Sequence, residues 1–171
     1  VMAEEALTPV AAEAPFSKLF CVSVQNTSNQ VEWTIIDTTS RSADYTSIVP
    51  PEGTLLDSTV KLIKAVTENN TSNTRSCIVS VPNQMETIAT ELKNNARQIP
   101  PCIATFSNIF SEHKQWAANN GKTLLVGPRT LGELHDTLGI KDEEHIEENL
   151  DNIANATMKL LENGHVFQGK D

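Results

Sequence analysis

The 171-residue chain is short of several residue types, and each shortage closes a class of function. Glycine occurs seven times, and the Gly-Lys-Thr that closes a phosphate-cradling loop occurs once. That stretch, Gly121-Lys-Thr123, has Trp116 where the loop's first glycine belongs and runs into a strand pattern instead of a helix. There are three cysteines (Cys21, Cys77, Cys102), an odd number at wide spacing with no C-x-x-C. That excludes a disulfide framework and a zinc framework and reads as reduced, buried thiols in an intracellular compartment. Positive charge is scarce too, with 13 Lys plus Arg against 22 Asp plus Glu and a net charge of -9. A protein living on nucleic-acid phosphates needs a basic face, so the balance points towards protein partners, although it does not fix how the charges are distributed. No apolar run reaches the ~18 residues of a membrane span, and the N-terminus lacks the basic start and apolar stretch of a secretory signal.

What is present suits one folded domain, since 39% of the residues are apolar and 20% charged. Residues 1–15 are Ala, Glu and Pro with almost nothing bulky, which reads as a flexible leader ahead of a single domain over 16–171. Lys18–Val24 and Gln30–Asp37 are β-branched and aromatic, with the turn-rich Gln25–Asn29 between them, and read as an antiparallel hairpin. Ala43–Val49 reads as a third strand, stopped by Pro50-Pro51. The period then changes. Leu55, Leu56, Val60, Ile63 and Val66 predict an amphipathic helix over about 53–68. Cys77–Val81 is a continuous apolar run of the buried parallel kind, followed by a helix over Gln84–Ala96. Ile103–Asn119 reads as one helix with Ile109, Phe110, His113, Trp116 and Ala117 as its stripe, and Lys122–Val126 as a last strand. Helices follow over about Thr130–Leu138 and Asp142–Leu161, the latter with Ile146, Leu150, Ile153, Ala154, Thr157 and Leu161 facing inward. The expected fold class is therefore α/β, with a mixed five-stranded sheet of three antiparallel strands then parallel crossover strands, and helices on both faces.

This order resembles the ribonuclease H-like superfamily over about residues 17–162. A strand turning into Gln25-Asn-Thr-Ser28 is similar to the family's opening strand and turn. Cys77–Gln84 is similar to its fourth strand entering a helix, and Glu148–Ala156 to its last helix. The resemblance implies a nuclease using two divalent metals, Mg²⁺ or Mn²⁺, held by four carboxylates. It also implies which positions carry them. Strand one should end in an acid where this chain has Gln25 or Asn26, and strand four in an acid where it has Pro82-Asn83. Asp57 on the first helix and Asp151 on the last answer to the second and fourth acids, while His135 or His145 answers to the loop histidine. Two central acids are thus replaced by neutral residues that ligate Mg²⁺ poorly.

The expectation that follows is a catalytically degenerate member with no metal cofactor, serving as a binding or structural module of the kind carried by viruses, phages or mobile elements. The alternative is a divergent nuclease acting on RNA or RNA–DNA hybrid, which recruits Asp57, Asp151 and a glutamate such as Glu143 or Glu144. The acidic run 142–148 is also what a helix N-terminus attracts through its dipole. A third reading is a nucleic-acid binder without catalysis, using Lys61, Lys64, Lys93 and Arg97 if they share one face. The four Asn-x-Ser/Thr triplets, at Asn26, Asn69, Asn70 and Asn155, are common by chance in a chain this rich in Asn, Ser and Thr.

Overall fold

The computed structural model describes residues 16–24, 30–39, 42–44, 54–71, 74–122, 127–140 and 148–167. The leader 1–15, the turn at Gln25–Asn29, most of the third strand pattern, Thr123–Val126, His145, Ile146, Glu143 and Glu144 lie outside these residues.

Alternation along the central strand sets the layers. In β1 (Lys18–Val24), Leu19 and Cys21 enter one core while Phe20 and Val22 enter another. Successive side chains of a strand point to opposite faces, so an unbroken apolar run is what a strand covered on both sides requires. β1 pairs antiparallel with β2 (Val31–Asp37), in register from Lys18↔Asp37 to Val24↔Val31. β2 pairs antiparallel with β3 (Ser42–Asp44). On its other side β1 pairs parallel with β4 (Ser76–Ser80), where Cys77 and Val79 face the first core and Ile78 the second. The sheet order is β3-β2-β1-β4-β5.

On one face lie α1 (Leu55–Glu68), α2 (Pro82–Asn94) and the short α3 (Pro101–Ala104), which contribute Leu55, Leu62, Val66, Met85, Ile88, Leu92 and Ile103. On the other lie α4 (Ile109–Asn119), α5 (Leu131–Thr137) and α6 (Leu150–Glu162), with Ile109, Leu131, Leu134, Ile153 and Leu160 fully buried or nearly so. The expected class, α/β with a five-stranded mixed sheet and helices on both faces, is what the coordinates show.

Two details depart from the sequence reading. Residues 103–119 are not one helix. The chain breaks at Thr105, adds the two-residue strand β5 (Ser107–Asn108) beside β4, and only then starts α4. Asn108 accepts from the Phe110 N–H at 2.9 Å as the N-cap, and buried Ser107 meets the Cys77 thiol at 3.2 Å. The fifth described strand is this one, while the strand expected from 122 onward falls outside the described residues. The second departure is in α1, whose buried face is Leu55, Ser58, Thr59, Leu62 and Val66, leaving Val60 38% exposed and Ile63 half-buried. Ser58 belongs inside because its hydroxyl accepts the Val31 N–H at 2.8 Å and donates to Leu55 at 3.0 Å.

After α6 the chain turns at Gly164, whose φ of +87° suits a residue without Cβ. His165 Nε2 then meets Glu112 Oε1 of α4 at 2.6 Å with both side chains buried, and Phe167 closes the first core.

Candidate functional site at the strand ends

β1 and β4 are parallel, so both deliver their C-terminal ends to one edge of the sheet. In open α/β sheets that edge is where ligands bind. Three helices begin there. α2 starts directly after β4 with Pro82 at its first position, where a missing N–H costs nothing. The first turn of α1 is anchored to it through Ser58 and Val31, the residue paired with Val24. The N-terminus of α6 is tied to it by Gln84.

Gln84 is the organising side chain. It is the third residue of α2, a position from which Gln or Glu ordinarily reaches back to its own N-cap. Here it crosses to other elements. Its Oε1 accepts the Val24 N–H at 2.8 Å, and its Nε2 donates to the Glu148 carbonyl at 3.2 Å. One amide thus pins the end of β1, the start of α2 and the approach to α6 to each other, as only a group with both a donor and an acceptor can. At the end of β4 Ser80 donates to the Val22 carbonyl of β1 at 2.7 Å, and Ser23 of β1 is buried. Asn149 caps α6 by accepting the Asn152 N–H at 3.0 Å.

Among the described residues no three His, Cys, Asp or Glu side chains gather in a way that could hold a metal ion. Pro82 and Asn83, where the family resemblance calls for an acid, are exposed and neutral. Gln25 and Asn26, its other missing acid, lie outside the described residues, as do Glu143 and Glu144. Asp57 stands at the correct end of the sheet but serves its own helix: its Oδ2 accepts the Thr54 N–H at 3.1 Å while Thr54 Oγ1 accepts the Asp57 N–H at 3.0 Å. Asp151 is exposed in the first turn of α6, on the opposite side of the sheet from α1. His135 is buried in α5, where its Nε2 meets the Asn152 carbonyl at 2.8 Å and joins α5 to α6.

The thiols are held out of chemistry. Burial pushes Cys21 up to about 12 and Cys77 up to about 11, which keeps both protonated at neutral pH. Cys21 lies 3.5 Å from Thr157 Oγ1, and burial also raises the half-buried Cys102.

The strand order 3-2-1-4-5, with two antiparallel pairings (β3-β2 and β2-β1) beside two parallel ones and the last helix packed on β1, settles the architecture. The fold is ribonuclease H-like. Solved structures that share it include the cell-death related nuclease 4, with TM-score 0.66 and 12% identity over 91% of this chain and 67% of that one. A structure of the 3′-end specific recognition of the histone mRNA stem-loop by a 3′-exonuclease matches with TM-score 0.66 and 11% identity over 92% of this chain and 87% of that one. The nuclease domain of 3′hExo, described as a DEDDh family member bound to rAMP, matches with TM-score 0.61 and 10% identity over 93% and 98%. At such identities the likeness is one of fold. No family model matches the sequence, and no curated protein does.

The sequence reading placed Gln84 at the start of the helix after strand four but gave its side chain no role. The available signal was its place three residues into a helix whose N-cap, Val81, has no capping side chain. A glutamine there either reaches back or reaches across.

Proposed function

We propose that this ribonuclease H-like domain has given up metal-dependent cleavage and works as a binding or structural module. The observation that carries this reading is the Gln84 bridge between Val24 and Glu148 at the strand ends. Two divalent cations about 4 Å apart repel each other by on the order of 15 kcal/mol at an effective dielectric of ~20, and clustered carboxylates are what offset that. Here Gln84, next to the strand ends, is a neutral amide whose oxygen and nitrogen are both engaged by the backbone. Two 13-residue helices, α2 and α6, also bring N-termini towards the same edge, and the positive end of a helix dipole disfavours a cation. A site of this composition favours stability of the strand ends over metal capture. The acidic balance of the whole chain supports a protein partner over a nucleic-acid one.

The test is cleavage of labelled RNA–DNA hybrid and of single-stranded RNA by the purified protein with millimolar Mg²⁺ or Mn²⁺. Intact substrates are expected with either metal. Cleavage that disappears in Asp151→Asn would overturn the reading and establish a divergent nuclease in its place.

A further inference from the structure

Val60 and Ile63 carry the helical apolar pattern of α1 yet lie off its buried face, with Val60 38% exposed. They form one wall of a cleft of about 370 Å³ whose floor is Leu92 and whose other wall is Arg97, Gln98 and Pro100. That volume is within the ~300–1,000 Å³ of clefts that hold ligands. The second wall is placed by a complete Schellman turn. The Arg97 N–H returns to the Leu92 carbonyl at 2.9 Å and the Ala96 N–H to Lys93 at 3.0 Å, with Ala96 held at φ +57°. A left-handed alanine costs roughly 1 kcal/mol, so the turn is kept at some expense to stability.

The rim is basic in an otherwise acidic chain. Lys64 is one helical turn beyond Val60 on the same face, Lys61 borders it, and Lys93 adjoins Leu92. None of these ammonium groups, nor the Arg97 guanidinium, has an ion-pair partner among the described residues, and all four side chains are exposed. The nearest acids on these helices are Asp57, one turn before Lys61 and engaged by the Thr54 N–H, Glu68, one turn beyond Lys64, and Glu91, which receives a hydrogen bond from Asn95. The lining of Val, Ile, Leu and Pro offers no aromatic face on which a base could stack. We propose that this cleft docks an acidic, aliphatic peptide segment of a partner protein, its apolar side chain entering between Val60, Ile63 and Leu92 and its carboxylates meeting Arg97 and Lys64. The cleft and the Gln84 bridge sit at opposite ends of α2, which spans about 20 Å over its 13 residues. Docking therefore goes beyond the strand-end reading and stands whether or not that site cleaves.

The test is fluorescence anisotropy with a labelled peptide of alternating leucine and glutamate, against a control of alternating leucine and lysine. The expected result is saturable binding of the acidic peptide that weakens with salt and falls at least about tenfold in Arg97→Glu and in Val60→Asp, with the basic peptide bound by Arg97→Glu alone. Both substituted positions are exposed, and an unchanged melting temperature verifies the fold of each variant. Should Val60→Asp unfold, the charge reversal at Arg97 decides the matter by itself. No binding by the wild-type protein, equal binding of the two peptides, an unaffected Arg97→Glu variant, or displacement of the peptide by single-stranded RNA would each overturn the proposal.

Discussion

Replacing Gln84 by alanine removes both hydrogen bonds of the bridge and leaves the Val24 N–H and the Glu148 carbonyl without that partner. A net hydrogen bond contributes about 0.5–1.5 kcal/mol, and an orphaned, partly buried donor costs more than a mean bond. Both ends are half-buried, so water recovers part of the loss, and the expected cost is about 2 kcal/mol. For a domain of this size each kcal/mol moves Tm by roughly 2–4 °C, giving a fall of about 4–8 °C. Gln84→Glu keeps the acceptor for Val24 but sets a carboxylate oxygen against the Glu148 carbonyl, so it should not recover wild-type stability. Calorimetric melting of the three proteins reads the totals. Hydrogen exchange at Val24 separates the arms of the bridge, with the amide deprotected in the alanine variant and protected in the glutamate one. An alanine variant as stable as wild type, or a glutamate variant more stable than it, would refute the assignment of Gln84 as the tie across the strand ends.

Ala96→Gly should raise stability by about 0.5–1 kcal/mol in denaturant titration, because relief of the left-handed strain exceeds the added chain entropy; a loss would contradict the strained turn. Glu112→Ala strips the buried His165 of its partner and should cost roughly 3 kcal/mol, several times the ~1 kcal/mol expected for Thr54→Ala at the cap of α1. The raised thiols make a pH prediction. Above the ordinary value of 9.0 the unfolded chain loses protons that the folded Cys21 and Cys77 keep until about 12 and 11, so the unfolded state binds fewer protons and stability falls as pH rises. Each thiol contributes a slope of about 1.4 kcal/mol per pH unit between roughly pH 9.5 and 11, and urea melts of Cys21→Ser should show a shallower fall than wild type. Equal slopes would contradict the burial of that thiol.

Much of the architecture was legible because its signals are local. The continuous apolar runs at Leu19–Val22 and Cys77–Val79 announce strands covered on both faces, and the spacing of Leu150, Ile153, Ala154, Thr157 and Leu161 announces a helix. β5 was hidden because two residues are too few for alternation and the stripe Ile109, Phe110, His113, Trp116 and Ala117 starts directly after it, so the helix was read back through it to Ile103. Val60 and Ile63 read as core because a periodic pattern shows which residues share a face, not whether another layer covers it. Ser58 inverted that judgement, since its burial depends on a bond to a strand 27 residues away. Gln84 is the hardest case. Its meaning lies in partners 60 and 64 residues distant, and a polar residue at a helix start looks solvated until those partners are placed.

Isothermal calorimetry of Mn²⁺ into the protein tests most directly whether the strand-end site can hold paired divalent cations. The expected result is no saturable heat in the wild-type protein and none in Asp151→Asn, with titrations indistinguishable from buffer up to millimolar metal. Saturable binding of two metal ions per chain, abolished by Asp151→Asn, would contradict the proposed loss of the metal site.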